Sequence, residues 1–566
     1  MTDIANRLAT SPAIPTAEIP TPTGATQVLV DAVPVGGGGR PDTVPAPISD
    51  LPSIVGLGLS NFVLPRSSRV KLLFLFGPFA ALVAGGLVAL LGPAIGVAFV
   101  AMIVVLIMVW NHPPIAGYAM IAGAPFVVGF GRDQVLPLLR PNEALLFALC
   151  ALLGFRWLLY SRRISIRLNR MDMVMVAVVF TGFLLPLLIQ LGRLREVSGD
   201  AVFFALVFVR IGLLYGIVRH TIRTPGQVRT ALSLSLVAGV LLGILGIFDS
   251  MNLFGAAEKL NPYFPNDGFI TDDGRGAATI GNPIGFGVYM AMNALIAISM
   301  LLANERPRWL IAIAAVICSV GVFGSGQIGP SLSFLIGVGA LALSTKSVFR
   351  LIRISAPALV VALLVVVPLG ERRINGFDAF AISGANRQAI HEQGGSDEGR
   401  NLFEANPGSS WDVRLYNLET FFLPEFRDPV NVAWGVTPQA RVASPREGEE
   451  FIWIESGILW LIWTGGVPLF LTWFALLGLG MATAKKQLST VHGPVGIAAA
   501  ATLGTLAVVG VAMVFDPHMT LRGSADLLYP LLALMMTGFR LQKLDRQPQG
   551  DLAAVKAPAR TERREL

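Results

Sequence analysis

The chain has 566 residues, of which 54% are hydrophobic and only 14% are charged, and its formal net charge is +7. Soluble proteins carry roughly 25% charged residues, so this composition excludes an ordinary soluble enzyme and indicates a polytopic membrane protein. In a membrane protein a positive net charge reflects basic cytoplasmic loops, and no RNA- or DNA-binding motif occurs, so nucleic acid is not an expected partner. Both cysteines, Cys150 and Cys318, lie inside apolar runs and are interpreted as small core residues.

Two polar tails flank the apolar part of the chain. Residues 1–69 are rich in Pro, Thr, Ala and Gly without sustained periodicity, which predicts a disordered cytoplasmic tail. No basic stretch leads directly into an apolar core there, so we do not expect a signal peptide. Residues 541–566 predict a second polar tail in the cytoplasm.

Between the tails lie about fourteen apolar runs, many of them near the ~18 to 20 residues that span a bilayer. Spans 1–11 are predicted within residues 70–369, and spans 12–14 within residues 452–540. In chain order they cover about 71–91, 94–111, 114–130, 142–160, 172–192, 200–218, 229–248, 280–303, 308–324, 330–345, 354–369, 452–478, 495–514 and 523–540. The third is short and glycine-rich, as a re-entrant helix would be. We therefore expect an all-α polytopic integral membrane protein with about 14 transmembrane helices (12–14).

The positive-inside rule orients these spans. With the N-terminus in the cytoplasm, the cytoplasmic loops are basic and nearly free of acid; they include “SRRISIRLNR”, “RHTIRTPGQVR”, “NERPRW” and “TKSVFRLIR”. Both termini are then cytoplasmic, and residues 370–451 form a large external loop. Within it, “SSWDVRLYNLETFFLPEF” has apolar residues at helical spacing, so the loop is expected to be partly helical.

Arginines near or inside apolar runs are the candidate anion-binding residues. Arg210 lies in the middle of “FFALVFVRIGLLYG”, either as a structural residue or as a cation lining a polar cavity. Arg275 precedes a predicted helix in “GRGAATIGNPIGFGVYM”, either as an interfacial anchor or as an anion clamp. The arginine fork and the positive helix N-terminus would both suit a lipid phosphate or pyrophosphate. Gly281 and Gly285 in the same stretch are interpreted as packing residues.

Acidic side chains and histidines are the candidate proton acceptors. “REGEEFIWIESGILW” places Glu450 and Glu455 near the start of the next span, where partial burial would raise a carboxyl pKa toward that of a general base; the alternative is that they are solvated loop acids. His391 is a further external candidate. Neither it nor His518 has a partner histidine at metal-ligand spacing, and no Walker-type glycine loop occurs, so we expect metal-independent chemistry without a cofactor.

The external loop also contains a cation and aromatic residues. Arg414 lies on the predicted helix of the loop. Candidate sugar-stacking surfaces are Trp411, Tyr416, Trp434 and, at the start of the next span, Trp453, although an aromatic belt at the membrane interface would explain them as well.

Three segments give the chain a resemblance to a known family. They are “GRGAATIGNPIGFGVYMAM”, “WDVRLYNLETFFLPEFRDPVNVAWGV” and “IESGILWLIWTGGVPLF”. In these the chain resembles the O-antigen ligase and polymerase family of Wzy-like bacterial glycan polymerases. It departs from the family pattern at Gln327, where members often have an arginine, and at Glu455 and Ser456, where they often have His-Asn or Asp-Asn. The base is therefore left open among Glu455, Glu450 and His391.

The resemblance implies a glycosyltransferase-C-like enzyme of the bacterial inner membrane with a large periplasmic loop. Its substrates would be undecaprenyl-pyrophosphate-linked glycans, as donor and as acceptor, and transfer would invert the anomeric centre. Arg275, with Arg414 or Arg210, would stabilise the leaving pyrophosphate. Membrane lipid, a chain-length-regulating co-polymerase and a flippase are the other implied partners.

Two alternatives stay open beside a polysaccharide polymerase. An O-antigen ligase would transfer the glycan to lipid A core or to a protein. A lipid-linked glycan flippase or secondary transporter would use Arg210 and Arg275 as substrate or gating charges, and it predicts charges spread along a central path.

Overall fold

The structure is a computed structural model, which describes these residues: 93–131, 140–160, 168–264, 275–345, 349–350, 352–353, 355–356, 360, 410–439, 441–443, 451–491 and 493–538. Both predicted tails, the predicted span 71–91 and most of the span 354–369 lie outside them. The same holds for His391 and Glu450, so the predictions made for these two residues stay predictions.

The described chain is helical apart from one hairpin. The helices are α1 (Pro93–Asn111), α2 (Pro114–Val127), α3 (Pro141–Tyr160), α4 (Arg170–Gly192), α5 (Gly199–Thr221), α6 (Pro225–Ser250), α7 (Ala256–Leu260), α8 (Pro283–Leu302), α9 (Arg308–Gly324), α10 (Ile328–Thr345), α11 (Ser410–Asn417), α12 (Pro429–Trp434), α13 (Gly457–Thr490), α14 (Pro494–Ala512) and α15 (Ser524–Met535). Strands β1 (Arg441–Ala443) and β2 (Phe451–Trp453) form an antiparallel pair.

Among the described residues, eight helices are long and apolar enough to cross a membrane: α3, α4, α5, α6, α8, α10, α13 and α14. Shorter apolar helices accompany them, including α2, α9 and α15. The protein is thus an all-α, multi-pass membrane protein in the part of the chain that the structure describes. The total of fourteen spans remains a prediction.

Two helices form the centre of the bundle. In the 18-residue apolar stretch of α8, 94% is buried, and in that of α14, 89% is buried. The helix α8 packs against α6, α9, α10, α14 and α15. Glycines permit these approaches: a Cβ on Gly337 of α10 would lie 2.5 Å from a Val508 methyl carbon of α14. Helices that are apolar on all faces are expected at such a central position.

The predicted span from about residue 452 begins later in the structure. Residues 451–453 are β2, and the helix α13 runs from Gly457 to Thr490 with a break at Gly466. From Phe451 to Glu455 exposed and buried side chains alternate, which is the two-residue period of an extended chain. Aromatic and β-branched residues favour a strand, and the short stretch was hidden at the edge of an apolar run.

Connections between the helices meet at one end of the bundle, here called the upper end. Gly129 N–H donates to the Thr279 carbonyl at 3.0 Å, and Gly276 N–H donates to the Gly324 carbonyl at 3.2 Å. The Ile458 N–H donates to the Met513 carbonyl at 3.1 Å. The described parts of the upper end are residues 128–131, 193–198, 251–264, 275–282, 325–327, 410–439, 441–443, 451–456 and 513–523. This is the end that the charge pattern predicts to be external.

Candidate functional site

A pocket of about 160 Å³ lies at the upper end, where α11 meets the start of α13. It is lined by Arg414, Leu415, Asn417, Leu418, Phe422, Trp453, Ile454, Glu455, Ser456, Leu459 and Val514. Three chain segments therefore build it: the loop helix with the turn that follows, the strand β2 with its extension, and the connection after α14. Phe422, which is 2% exposed, anchors the loop helix by packing edge-on against Trp463 of α13.

Arg414 and Glu455 form an ion pair in this pocket. Arg414 comes from α11, and Glu455 lies between β2 and α13. Burial raises the pKa of the Glu455 carboxyl, and the Arg414 charge and hydrogen bond oppose this rise. The sequence nominated both residues for different reasons, and the fold brings them together as one cation and one carboxylate facing the same cavity.

Asp516 is a further ionisable group that interacts with Arg414 and Glu455 without lining the pocket, and the sequence reasoning missed it. It lies in the connection between α14 and α15, and its backbone carbonyl contacts the start of α13: a Cβ on Gly457 would lie 2.6 Å from that oxygen. Burial raises the pKa of Asp516 to about 7, with a further rise from Glu455 and an opposing effect of Arg414. The only signal in the sequence was an acid in “FDPHMT”, a short polar break between two apolar runs.

Replacing Asp516 with asparagine is expected to change how the stability of the protein depends on pH. The folded-state pKa of about 7 lies above the ordinary value of 3.8, so the native state holds the proton more tightly. The stability of the wild type therefore falls as the pH rises from 3.8 toward 7, and the variant lacks this loss. Melting temperatures of both proteins in detergent at pH 5 and pH 8 measure this effect.

The melting temperature of Asp516→Asn should rise relative to that of the wild type as the pH increases. Glu258→Gln is the control, because Glu258 is an exposed acid on the short helix α7. A difference between wild type and Asp516→Asn that is the same at both pH values would show that Asp516 has no raised pKa.

Arg210 lies apart from the pocket lining. It is 4% exposed, and its Nη2 donates to the Thr520 carbonyl at 3.3 Å. Among the described residues it makes no ion pair. The contact ties α5 to the connection that also holds Asp516.

Arg275 is half-buried at another part of the upper end. The backbone after it is fixed by Asp249, whose carboxylate accepts hydrogen bonds from Ala277 N–H at 2.7 Å and Ala278 N–H at 3.0 Å. Asn282 then caps α8 by accepting from Gly285 N–H at 2.8 Å. A Cβ on Gly285 would lie 2.2 Å from the Arg522 carbonyl, so this glycine permits a close backbone approach. Arg275 does not line the pocket of Arg414 and Glu455.

The predicted sugar-contacting residues are spread over the loop. Tyr416 is half-buried and packs edge-on against Phe421, and Trp434 is 42% exposed on α12. Trp411 lies on α11, but its side chain is outside the described part of the structure. Tyr416 and Trp434 do not line the pocket, whereas Trp453 does.

His518 lies at the upper end and is fully buried. Neither of its ring nitrogens has a hydrogen-bond partner within the described chain, and burial lowers its pKa to about 3. It is therefore neutral at physiological pH. In the described segments no three His, Cys, Asp or Glu residues are grouped so as to hold a metal ion.

Comparison of the chain with known protein families and with curated proteins found no match.

Proposed function

We propose that the protein is a membrane glycosyltransferase that polymerises undecaprenyl-pyrophosphate-linked oligosaccharide repeat units into a surface polysaccharide. The reaction would take place at the periplasmic face of the bacterial inner membrane. The observation that supports this proposal most is the pairing of Arg414 and Glu455 in one pocket at the upper end. It offers a cation for a leaving pyrophosphate and a carboxylate for an acceptor proton, side by side.

In the proposed reaction, an acceptor hydroxyl attacks the anomeric carbon of the donor. The bond from that carbon to the pyrophosphate oxygen breaks, and its electron pair leaves with the pyrophosphate. The hydroxyl proton passes to Glu455, whose raised pKa makes it a better proton acceptor than an ordinary glutamate. Arg414 then releases Glu455 and stabilises the leaving anion. A single displacement of this kind inverts the anomeric centre.

The remaining candidates keep secondary roles in this proposal. Arg275 and Arg210 are further cations for the pyrophosphate, and Glu450 and His391 are alternative bases. Asp516 is a further acidic group near Arg414, and with a pKa of about 7 it is only partly ionised at neutral pH.

A transferase fits the placement of charges better than a flippase does. Arg414, Glu455 and Asp516 gather at one end of the bundle, whereas a carrier path would need polar groups along its length. The two central helices, α8 and α14, are almost wholly buried against other helices. A ligase remains the second candidate of the same chemical class.

Deleting the gene and separating the surface polysaccharide by gel electrophoresis tests the proposal. Loss of long chains with single repeat units remaining supports a polymerase. Full-length chains left on the lipid carrier indicate a ligase, and lipid-linked units that accumulate inside the cell indicate a flippase. Either of these results would contradict polymerisation.

A further inference from the structure

The hairpin beside the pocket presents an aromatic face that the proposed reaction does not use. Arg441 of β1 lies opposite Trp453 of β2. Cross-strand partners share a face, as do alternate residues of one strand, so Arg441, Trp453 and Phe451 lie on the same face. Ile452 lies on the opposite face and is 3% exposed within the core. The hairpin is thus anchored by its apolar face and presents two aromatic rings on the other.

The alternation continues from the hairpin into the pocket. Ile452 and Ile454 are buried, whereas Phe451, Trp453 and Glu455 are exposed between them. Alternate side chains of an extended chain are about 6.6 Å apart along it. Phe451 and Trp453 therefore form a track, here called the aromatic track, which leads to Glu455. Trp453 lines the same pocket as Glu455.

Neighbouring side chains hold the rings of the aromatic track in place. The Arg441 guanidinium lies 3.5 Å from the centroid of the Phe451 ring, and it is fixed by an ion pair with Asp200 at 2.5 Å. The Phe204 ring lies 6.0 Å from the Trp453 ring. Even so, 36% of Phe451 and 49% of Trp453 remain exposed. A platform that is already ordered loses little conformational entropy when a ligand binds.

We propose that the aromatic track binds sugar rings of the acceptor glycan and presents its reacting hydroxyl to Glu455. This inference rests on the proposed glycosyl transfer. Aromatic faces carry partial negative charge, and they attract the slightly positive C–H face of a pyranose. The track ends at the carboxylate that would take the acceptor proton, so a bound chain would have its terminal sugar at the reaction centre. The competing occupant is the lipid interface, where exposed aromatic side chains serve as anchors.

The experiment uses the full-length protein in lipid nanodiscs with two probes. One is the host's undecaprenyl-pyrophosphate-linked repeat unit as donor, and the other is the lipid-free repeat-unit oligosaccharide as acceptor. We expect Trp453→Ala to raise the KM for the oligosaccharide roughly ten-fold with kcat little changed, whereas Trp453→Phe retains most of the affinity. The control is Trp309→Ala, since Trp309 is 65% exposed at the start of α9, at the opposite end of the bundle.

Binding of the oligosaccharide to Glu455→Gln, measured by calorimetry, separates the track from the chemistry. The proposal expects this inactive variant to bind the oligosaccharide, and the double variant with Trp453→Ala to bind it about ten-fold more weakly. Equal KM values for Trp453→Ala and wild type, with Glu455→Gln inactive, would overturn the track and leave the proposed function standing. An unchanged KM with a lower melting temperature in the nanodisc would also overturn it, in favour of a lipid anchor. Normal elongation by Glu455→Gln would overturn the presentation of the hydroxyl to Glu455, whereas no elongation by the wild-type protein with these probes would refute the proposed function.

Discussion

Replacing Glu455 with glutamine is expected to abolish long-chain polysaccharide while the protein remains folded in the membrane. Glutamine preserves the shape of the side chain but does not accept the acceptor proton, and a positioned general base contributes about 10²–10⁴-fold to a reaction rate. The change also removes the ion pair with Arg414, but both side chains are only partly buried, so the loss of stability should be small. Complementation of a deletion strain, followed by gel analysis of chain length, measures the effect.

Two matched variants sharpen this test. Glu258→Gln removes an exposed acid from α7, away from the pocket lining, and should leave chain length unchanged. Arg414→Lys keeps the positive charge but loses the planar fork that suits pyrophosphate oxygens, so it should reduce elongation. Adding this change to Glu455→Gln should not restore elongation. Normal chain length in Glu455→Gln, at wild-type protein levels in the membrane, would exclude Glu455 as the base.

Hydropathy predicted much of the bundle because each membrane helix must satisfy its own backbone within an apolar medium. For example, α9 was predicted at about 308–324 and is observed at Arg308–Gly324. The short β2 was not predicted, because three residues are too few for a two-residue period to show within an apolar run. Its partner strand β1 lies on the other side of residues 444–450, so the pairing depends on contacts that local sequence patterns do not contain.

The candidate site was predictable only in its parts. Arg414 and Glu455 were each nominated, one from a loop helix and one from a span entrance, but their pairing depends on how the loop folds back. Asp516 had no motif around it, since a single acid in a short turn is most often solvated. Its role emerges only because the connection after α14 packs against the start of α13.

Polar contacts hold residues 410–439 in place over the end of α4. Arg193 donates to the Asn431 side-chain oxygen at 2.8 Å, and Gln190 donates to the Thr437 hydroxyl at 3.0 Å. Trp463 of α13 donates from its indole nitrogen to the Gln439 carbonyl at 2.8 Å. The helical turns that follow α11 end at Arg427, and only the extended residue Asp428 separates them from α12, so these contacts also restrict the position of the Arg414 helix.

The break in α13 lies directly against this segment. Gly466 has φ 63° and ψ −161°, a conformation that essentially only glycine adopts. A Cβ on Gly466 would lie 2.4 Å from the Ala433 carbonyl oxygen of α12. Gly435 is equally confined, since its Cβ would lie 2.7 Å from the Thr464 carbonyl oxygen. The glycines of “IWTGG” and “AWGV” therefore face each other, and each allows the other backbone to approach.

Replacing Gly466 with alanine is thus expected to displace α12, to lower the melting temperature and to shorten the polysaccharide chains. The strained backbone alone costs about 1–3 kcal/mol, and the steric overlap with Ala433 adds to this. Gly478→Ala is the matched control in the same helix: it is exposed, and a Cβ there would have no atom within 4 Å. Since alanine favours a helix over glycine by up to about 1 kcal/mol, the control should keep or raise the melting temperature. Wild-type melting and wild-type chain length in Gly466→Ala would show that Arg414 and Glu455 meet without this contact between α12 and α13.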